Sequence, residues 1–240
     1  PSIRQLSEVA ANSGYFNAFP DSDGVIRWSP LVIKFRDNYY ASLPLALVSQ
    51  FLEWPMLSLN MVEYGVEGIV LDKLLIPTDE SGRMLINYRG PAKTFAHYSV
   101  SDVFSGRTPK DTFKGKIVIV GATAIGIYDM RVTPFSAVYP GVEIHANVID
   151  NILSGDFLVH SGWTKFLDVC MIIVVGLVMG VAVPRMKAVA GIALSLVLIG
   201  AFVVANMAVF IKYDVWMNPI YPVLTMMTIY LGITVYRHVT

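Results

Sequence analysis

Three long apolar stretches occupy the last third of the chain, whereas the first two thirds alternate between short apolar runs and polar residues. The stretches lie at 166–183, 188–211 and 219–236, with short polar breaks between them. As helices rising about 1.5 Å per residue, stretches of this length can cross a hydrocarbon layer of about 30 Å. The pattern predicts a folded domain at residues 1–162 and a three-helix transmembrane segment at residues 163–240. A buried soluble bundle is the alternative, and three successive stretches argue against it.

Cations at the breaks predict the orientation of these helices. Arg185 and Lys187 lie between the first two stretches, and Arg237 with His238 follows the third. Cytoplasmic ends of membrane helices are enriched in Lys and Arg. We therefore expect a multi-pass protein of the inner or plasma membrane, with residues 1–162 periplasmic or extracellular and the C-terminus cytoplasmic.

The charge balance differs between the two parts. Residues 1–162 carry 13 Lys and Arg against 16 Asp and Glu, and residues 163–240 carry 5 against 2. A mildly acidic outer part without a basic patch excludes a nucleic-acid partner. The lone Cys170 falls inside the first apolar stretch, so residues 1–162 contain no disulfide.

Short strands and helices alternate in residues 1–162, which predicts an α/β domain with a mixed sheet. The apolar run of Lys116–Val120 (KIVIV) suits a strand covered on both faces. Val142–Leu153 has a helical stripe formed by Val142, Ile149, Ile152 and Leu153, and Gly155 is its predicted stop. The other predicted elements are a helix at 5–13, strands within 25–34, 69–76 and 84–88, a helix at 43–51 capped by Ser42, and a brief helix from Ser101 to Phe104.

The segment Gly121–Gly126 (GATAIG) resembles a nucleotide-binding loop only superficially. A phosphate-binding P-loop needs Lys and a hydroxyl residue after its second Gly, where this chain has Ile127 and Tyr128. The dinucleotide fingerprint needs a second close-approach Gly, where this chain has Thr123. The segment therefore predicts a tight turn at the end of a sheet.

Residues 1–162 contain no complete catalytic or metal-binding motif. Glu143 and His145 are two positions apart, so on a helix they face different directions. Asp129, Arg131 and Glu143 would converge if the intervening loop folds back, which spacing alone does not decide. The sequence DSDG at 21–24 lacks the downstream Glu of a calcium loop and predicts a turn. We expect no catalytic residue, metal or cofactor in this chain.

Small and polar residues within the apolar stretches predict where the membrane helices approach one another. Helices in lipid pack closely through small residues, and polar side chains join them by hydrogen bonds. The predicted packing positions are Gly176, Gly180, Gly191, Gly200 and Asn206.

Several stretches together resemble the second type of the CHASE sensor family, whose name stands for cyclases/histidine kinases associated sensory extracellular. They are GYFNAFPDSDGVIRWSPL from Gly14, PTDESGRMLINYRGP from Pro77, FKGKIVIVGATAIGIYD from Phe113 and TPFSAVYPGVEIHANVIDNILSGDFL from Thr133. They cover most of residues 14–158 in family order, and three membrane helices follow as in the family. The family usually opens with a membrane helix and a βα portion that this sequence does not show.

The resemblance implies an extracytoplasmic α/β sensor domain, lacking its N-terminal portion, that feeds a cytoplasmic effector in the same polypeptide. The implied effector is foremost a class III adenylate/guanylate cyclase, which would use Mg²⁺ or Mn²⁺ and a nucleotide. Alternatives are a histidine or serine/threonine kinase or a GGDEF/EAL protein. Expected partners are membrane lipid, an unidentified extracytoplasmic ligand or protein, and a second copy of the chain in a homodimer.

Two other classes of protein remain open from the residues alone. One is a membrane-anchored enzyme using Asp129, Glu143 and His145, and the other is a structural or assembly protein. For the sensor, we expect the region 121–150 to be the functional core, because it holds the Gly turn, the loop at 129–139 and the predicted helix, and it leads directly into the first span. The candidate ligand or signal residues are Gly121, Thr123, Asp129, Arg131, Glu143 and His145.

Overall fold

A computed structural model describes residues 4–53, 56–63, 65–123, 129–159 and 162–239. The chain divides into two compact units, Pro1–Phe157 and Leu158–Thr240. The strands are β1 Trp28–Pro30, β2 Val32–Phe35, β3 Asn38–Ala41, β4 Leu57–Val62, β5 Gly65–Leu71, β6 Leu74–Pro77, β7 Arg83–Leu85, β8 Met130–Arg131 and β9 Tyr139–Pro140. The helices are α1 Arg4–Ser7, α2 Leu43–Phe51, α3 Val100–Phe104, α4 Gly141–Ser154, α5 Gly162–Ala182, α6 Ala188–Tyr213 and α7 Ile220–Val239.

The first unit combines strands and helices around one hydrophobic core, which confirms its α/β character. Its strands form four small antiparallel sheets, namely β1–β7, β2–β3, β4–β5–β6 and β8–β9. Leu45 from α2, Ile152 from α4 and Ile76 from β6 are fully buried in the same cluster. Helix α2 begins as predicted, because the Ser42 hydroxyl accepts a hydrogen bond from the Leu45 N–H at 3.4 Å.

Helix α4 is the longest helix of the first unit and ends as predicted. Gly155 adopts a left-handed conformation with φ of 65°, which a residue without Cβ tolerates best. The buried stripe differs from the predicted one. Leu153 is exposed and Val142 half-buried, whereas the residues that face the core are Ile144, Val148, Ile149 and Ile152.

Two predicted elements of the first unit are wrong. The helix expected at 5–13 is limited to α1, Arg4–Ser7. The run at 117–120 belongs to no strand and pairs with none among the described residues. Its side chains alternate, since Ile117 and Ile119 pack on the core while Val118 and Val120 are exposed. Only one face of this run is therefore covered, whereas the prediction required burial of both faces.

The second unit contains three helices, of which two are long and apolar enough to cross a membrane. Within the described residues these spans are Phe166–Arg185 and Ala188–Tyr213, and only 11% of the most apolar part of each span is buried. A buried soluble helix would be mostly covered, so the apolar surface suits lipid better than a protein core. The prediction of three spans is not confirmed by this criterion. The third helix, α7, includes Tyr221, Thr225, Thr228, Tyr230, Thr234 and Arg237, which lower its hydropathy.

Helices α5 and α7 run parallel to each other, and hydrogen bonds join them near both ends. At one end the Asn218 N–H donates to the Asp168 carboxylate at 3.3 Å. At the other end the Arg237 guanidinium donates to the carbonyl oxygens of Met186 at 2.7 Å and Val183 at 3.2 Å. Between the two ends, Met179, Val183 and Met226 form a small buried cluster.

The predicted packing glycines do not all behave alike. A Cβ at Gly176 would lie 3.7 Å from Ile229, and one at Gly191 would lie 3.5 Å from Tyr230. These two positions therefore admit a neighbouring helix. A Cβ at Gly180 or Gly200 would meet no described atom within 4 Å. The amide nitrogen of Asn206 is buried and has no hydrogen-bond partner within the described part of the chain.

Candidate functional site

An open cavity of about 240 Å³ lies in the first unit at the N-terminal end of helix α4. Helix α4, the run that ends at Gly121, the segment around β8 and residues from the N-terminal part of the chain form its walls. Its lining residues are Phe16, Ala18, Leu43, Ile119, Val120, Gly121, Asp129, Arg131, Gly141, Val142, Ile144 and His145. The cavity is thus mostly apolar, with three polar side chains on one part of its wall.

Two glycines of the cavity, Gly121 and Gly141, lie close to neighbouring side chains. A Cβ at Gly141 would overlap the Asp129 carboxylate. A Cβ at Gly121 would approach the Val142 side chain to 3.0 Å, closer than ordinary carbon contacts. The Gly141 N–H donates to the Asp129 carbonyl oxygen at 2.9 Å, which fixes Asp129 beside the first turn of α4.

Asp129 and Arg131 form a loose ion pair at the cavity. The nearest nitrogen–oxygen distance is 3.4 Å, and each side chain is 44% exposed. An exposed pair of this kind contributes little stability, so its partners can exchange for a ligand at small cost. The N-terminal end of α4 carries a partial positive charge that favours the nearby carboxylate.

His145 lies one turn into α4 and is held in its neutral form. Burial lowers the pKa of its imidazole from the ordinary value of 6.5, Asp129 partly opposes this effect on the pKa, and Arg131 adds to it. Its Nδ1 atom is buried and has no hydrogen-bond partner among the described residues. A buried polar atom without a partner is costly, and such atoms often mark the place of a water or ligand.

Four of the six predicted site residues line this cavity, namely Gly121, Asp129, Arg131 and His145. Thr123 and Glu143 do not. The Glu143 carboxylate is buried and accepts hydrogen bonds from the backbone N–H groups of Lys93 at 2.9 Å and Phe95 at 3.4 Å. It therefore holds the loop at Lys93, whose φ of 72° is left-handed. Glu143 therefore does not line the cavity with Asp129 and His145.

The predicted tight turn at Gly121–Gly126 lies mainly outside the described residues. The turn at DSDG is confirmed, because the Gly24 N–H donates to the Asp21 carbonyl oxygen at 2.9 Å. Arg27 binds the carboxylates of both Asp21 and Asp23. The hydrogen bond from Arg27 lowers the pKa of Asp23 to about 2. Within the described residues, no group of three His, Cys, Asp or Glu side chains could hold a metal ion.

A row of buried polar residues on α4 was missed by the sequence analysis. Asn147 and Asn151 are fully buried, and with Glu143 they are spaced four apart on one face. Asn151 binds both the N–H and the carbonyl oxygen of Asn87 at 2.9 Å, as a neighbouring strand would. Asn147 accepts from the Arg89 N–H at 2.9 Å. The four-residue spacing of polar residues within an amphipathic helix was the available signal.

Arg89 completes the attachment of this segment to α4. Its guanidinium binds the carboxylates of Asp150 and Asp156 and the hydroxyl of Ser154. Burial lowers the pKa of Arg89, but the two carboxylates outweigh burial and raise the pKa. The last turn of α4 is thereby tied to residues 87–89.

Comparison with known proteins gives one result. The family model described as CHASE2 domain matches residues 2–181, which is three quarters of the chain. No curated protein and no solved structure matches it.

Proposed function

The chain belongs to the CHASE2 domain family of extracellular sensor domains, and we propose that it is the sensing and membrane-spanning part of a signalling receptor. The observation that carries this proposal is the extent of the family match. It covers residues 2–181 and therefore includes both the first unit and nearly all of helix α5. A sensor domain and its first apolar helix thus belong to one family unit.

The cavity at the start of α4 supports sensing by ligand binding. A concave, mainly apolar site with a few polar groups is the usual form of a small-molecule site. Helix α4 ends at Ser154 and α5 begins at Gly162, with only seven residues between them. A change at the cavity is therefore close in sequence to the first span, so little chain is available to absorb it.

We further propose that all three helices of the second unit cross the membrane. Helix α7 has 20 residues and lies parallel to α5 from Asp168 to Met186, as the hydrogen bonds at both ends require. A helix in such contact with a spanning helix occupies the same depth of the bilayer. Three crossings put residues 1–162 outside and the C-terminal end in the cytoplasm, in agreement with Arg185, Lys187 and Arg237.

The proposed effector is a class III adenylate/guanylate cyclase in the same polypeptide. It would supply the Mg²⁺ or Mn²⁺ and nucleotide chemistry. A histidine or serine/threonine kinase or a GGDEF/EAL protein is the alternative output. A homodimer is the proposed assembly, since two copies would let one movement of the spans reach two effector domains.

Topology is the property that tests this proposal most directly. Single cysteines are introduced by Ser13→Cys and Val239→Cys in a Cys170→Ala background, and intact cells are treated with a membrane-impermeant thiol reagent. Both positions are exposed in the chain. We expect labelling at position 13 in intact cells and at position 239 only after the membrane is permeabilised.

The other labelling patterns each have a defined meaning. Labelling at both positions in intact cells would show an even number of crossings and contradict the proposal that α7 crosses the membrane. Labelling at position 239 alone would invert the orientation and overturn the receptor proposal. Assays of the native full-length protein for cyclic nucleotide synthesis, phosphoryl transfer and cyclic dinucleotide turnover then separate the proposed effectors.

A further inference from the structure

The cavity wall carries opposite charges that nearly cancel. Asp129 and Arg131 contribute one negative and one positive group, and burial keeps His145 neutral. The distance of 3.4 Å between the charged groups leaves each with unused hydrogen-bonding capacity. A purely anionic ligand would meet the Asp129 carboxylate, and a purely cationic ligand would meet the Arg131 guanidinium. The charge pattern therefore favours a ligand that carries both signs.

The run at 119–121, which lines the same cavity, offers further polar groups. Among the described residues, no hydrogen bond engages the backbone N–H or carbonyl groups of Ile119, Val120 or Gly121. Backbone groups of folded proteins are almost always paired with protein, water or ligand. The Nδ1 atom of His145 also lacks a partner in the described structure. The cavity lining thus includes polar groups in addition to the charged pair.

The rest of the cavity is apolar and partly uncovered. Phe16 is 73% exposed and Val120 is 83% exposed, and both line the cavity with Ile144. Burial of such surface by an apolar group stabilises a complex in proportion to the area covered. At about 240 Å³ the cavity is smaller than the sites of drug-sized molecules, which limits it to a small ligand.

We propose that this cavity binds a small zwitterion with an apolar side chain, of the α-amino acid class. The ammonium group binds Asp129, the carboxylate binds Arg131, and the side chain contacts Phe16, Val120 and Ile144. The inference rests on the proposed sensor function, for which it names the class of stimulus. It also explains why two opposite charges remain so loosely paired beside an apolar wall.

Calorimetric titration of the full chain in lipid nanodiscs tests the zwitterion requirement. The probes are L-alanine, L-valine, L-leucine and L-phenylalanine, followed by two half-molecules of leucine. These are 3-methylbutylamine, which lacks the carboxylate, and 4-methylpentanoate, which lacks the ammonium group. We expect at least one amino acid to bind and the leucine half-molecules to bind at least about tenfold more weakly than leucine, since each loses one charge-assisted contact.

Matched variants locate the binding site. Asp129→Asn and Arg131→Gln should each weaken amino-acid binding at least about tenfold. Arg107→Gln is the control, because Arg107 pairs with Asp102 in an exposed ion pair that does not line the cavity. Circular dichroism and thermal unfolding verify the fold of each variant. We expect the fold to be unchanged, because the replaced side chains are partly exposed.

Three results would overturn the inference. In the first, no amino acid and neither half-molecule binds at millimolar concentration. In the second, a half-molecule binds as tightly as leucine. In the third, Arg107→Gln weakens amino-acid binding as much as Asp129→Asn and Arg131→Gln do. The labelling experiment above is independent of these results. If labelling gives the expected topology but no amino acid binds, only the proposed ligand class is rejected. If an amino acid binds but labelling gives the opposite topology, the receptor proposal is rejected and the binding site stands.

Discussion

Replacement of Asn151 by leucine would test whether the asparagines of α4 substitute for a neighbouring β-strand. Asn151 is fully buried, and its amide group makes two hydrogen bonds of 2.9 Å to the backbone of Asn87. Leucine has nearly the same size and shape but neither donates nor accepts. The variant therefore leaves the N–H and carbonyl groups of Asn87 without partners while it keeps the helix and its packing volume.

The expected loss follows from these two groups. A backbone polar group left unpaired on burial costs about 1–3 kcal/mol. Asn87 is half-buried, so water recovers part of that cost, and the added apolar surface of leucine offsets a further part. We expect the domain to lose about 2–4 kcal/mol. For a domain of this size the unfolding midpoint then falls by about 5–15 °C.

Two measurements on the full chain in lipid nanodiscs check this expectation. Thermal unfolding reports the global loss, and hydrogen exchange of the Asn87 amide reports the local one. The control is Asn60→Leu, since the Asn60 amide donates to Glu67 on an exposed hairpin at 3.2 Å. A midpoint for Asn151→Leu that stays as close to wild type as the control, with unchanged exchange at Asn87, would refute the proposed role.

Two further predictions concern other side chains of α4. Glu143→Gln should destabilise the domain by about 1–3 kcal/mol, because one of the N–H groups of Lys93 and Phe95 loses its charged acceptor; unchanged thermal unfolding would contradict this. Because the pKa of His145 is lowered in the folded protein, the unfolded chain binds a proton at a higher pH than the folded one does. The stability that neutral His145 provides is therefore fully present above pH 6.5, the ordinary pKa of histidine, and declines as the pH falls below it. Thermal unfolding between pH 7.5 and 5.5 should show a steeper decline for wild type than for His145→Gln, and equal slopes would exclude this contribution.

Elements with strong local signals could be predicted from the sequence. Ser42 and Pro44 define the start of α2, and Gly155 defines the end of α4, because capping and left-handed geometry depend on a few neighbouring residues. The two most apolar helices can also be predicted from the sequence, since their length and composition suffice to identify them.

Elements that depend on distant partners could not be predicted. Ile117–Val120 has the composition of a buried strand, but strand formation requires a neighbour, and none is present among the described residues. The cavity likewise depends on contacts between residues that are distant in the sequence. Asp129, Arg131 and His145 meet because the Gly141 N–H binds the Asp129 carbonyl oxygen, a contact that no spacing rule contains.

Helix α4 connects the two kinds of polar residue on which these proposals depend. Its first turn holds Asp129 and forms the cavity, and its last turn binds Arg89 through Asp150. A ligand that separates Asp129 from Arg131 changes the charge beside the first turn, where the partial positive charge of the helix is felt. A stimulus can shift a receptor only by the difference in its affinity for two states, and about 1–3 kcal/mol is typical. Because Asp129 lies beside the first turn of α4, α4 is the element on which we expect ligand binding to act first.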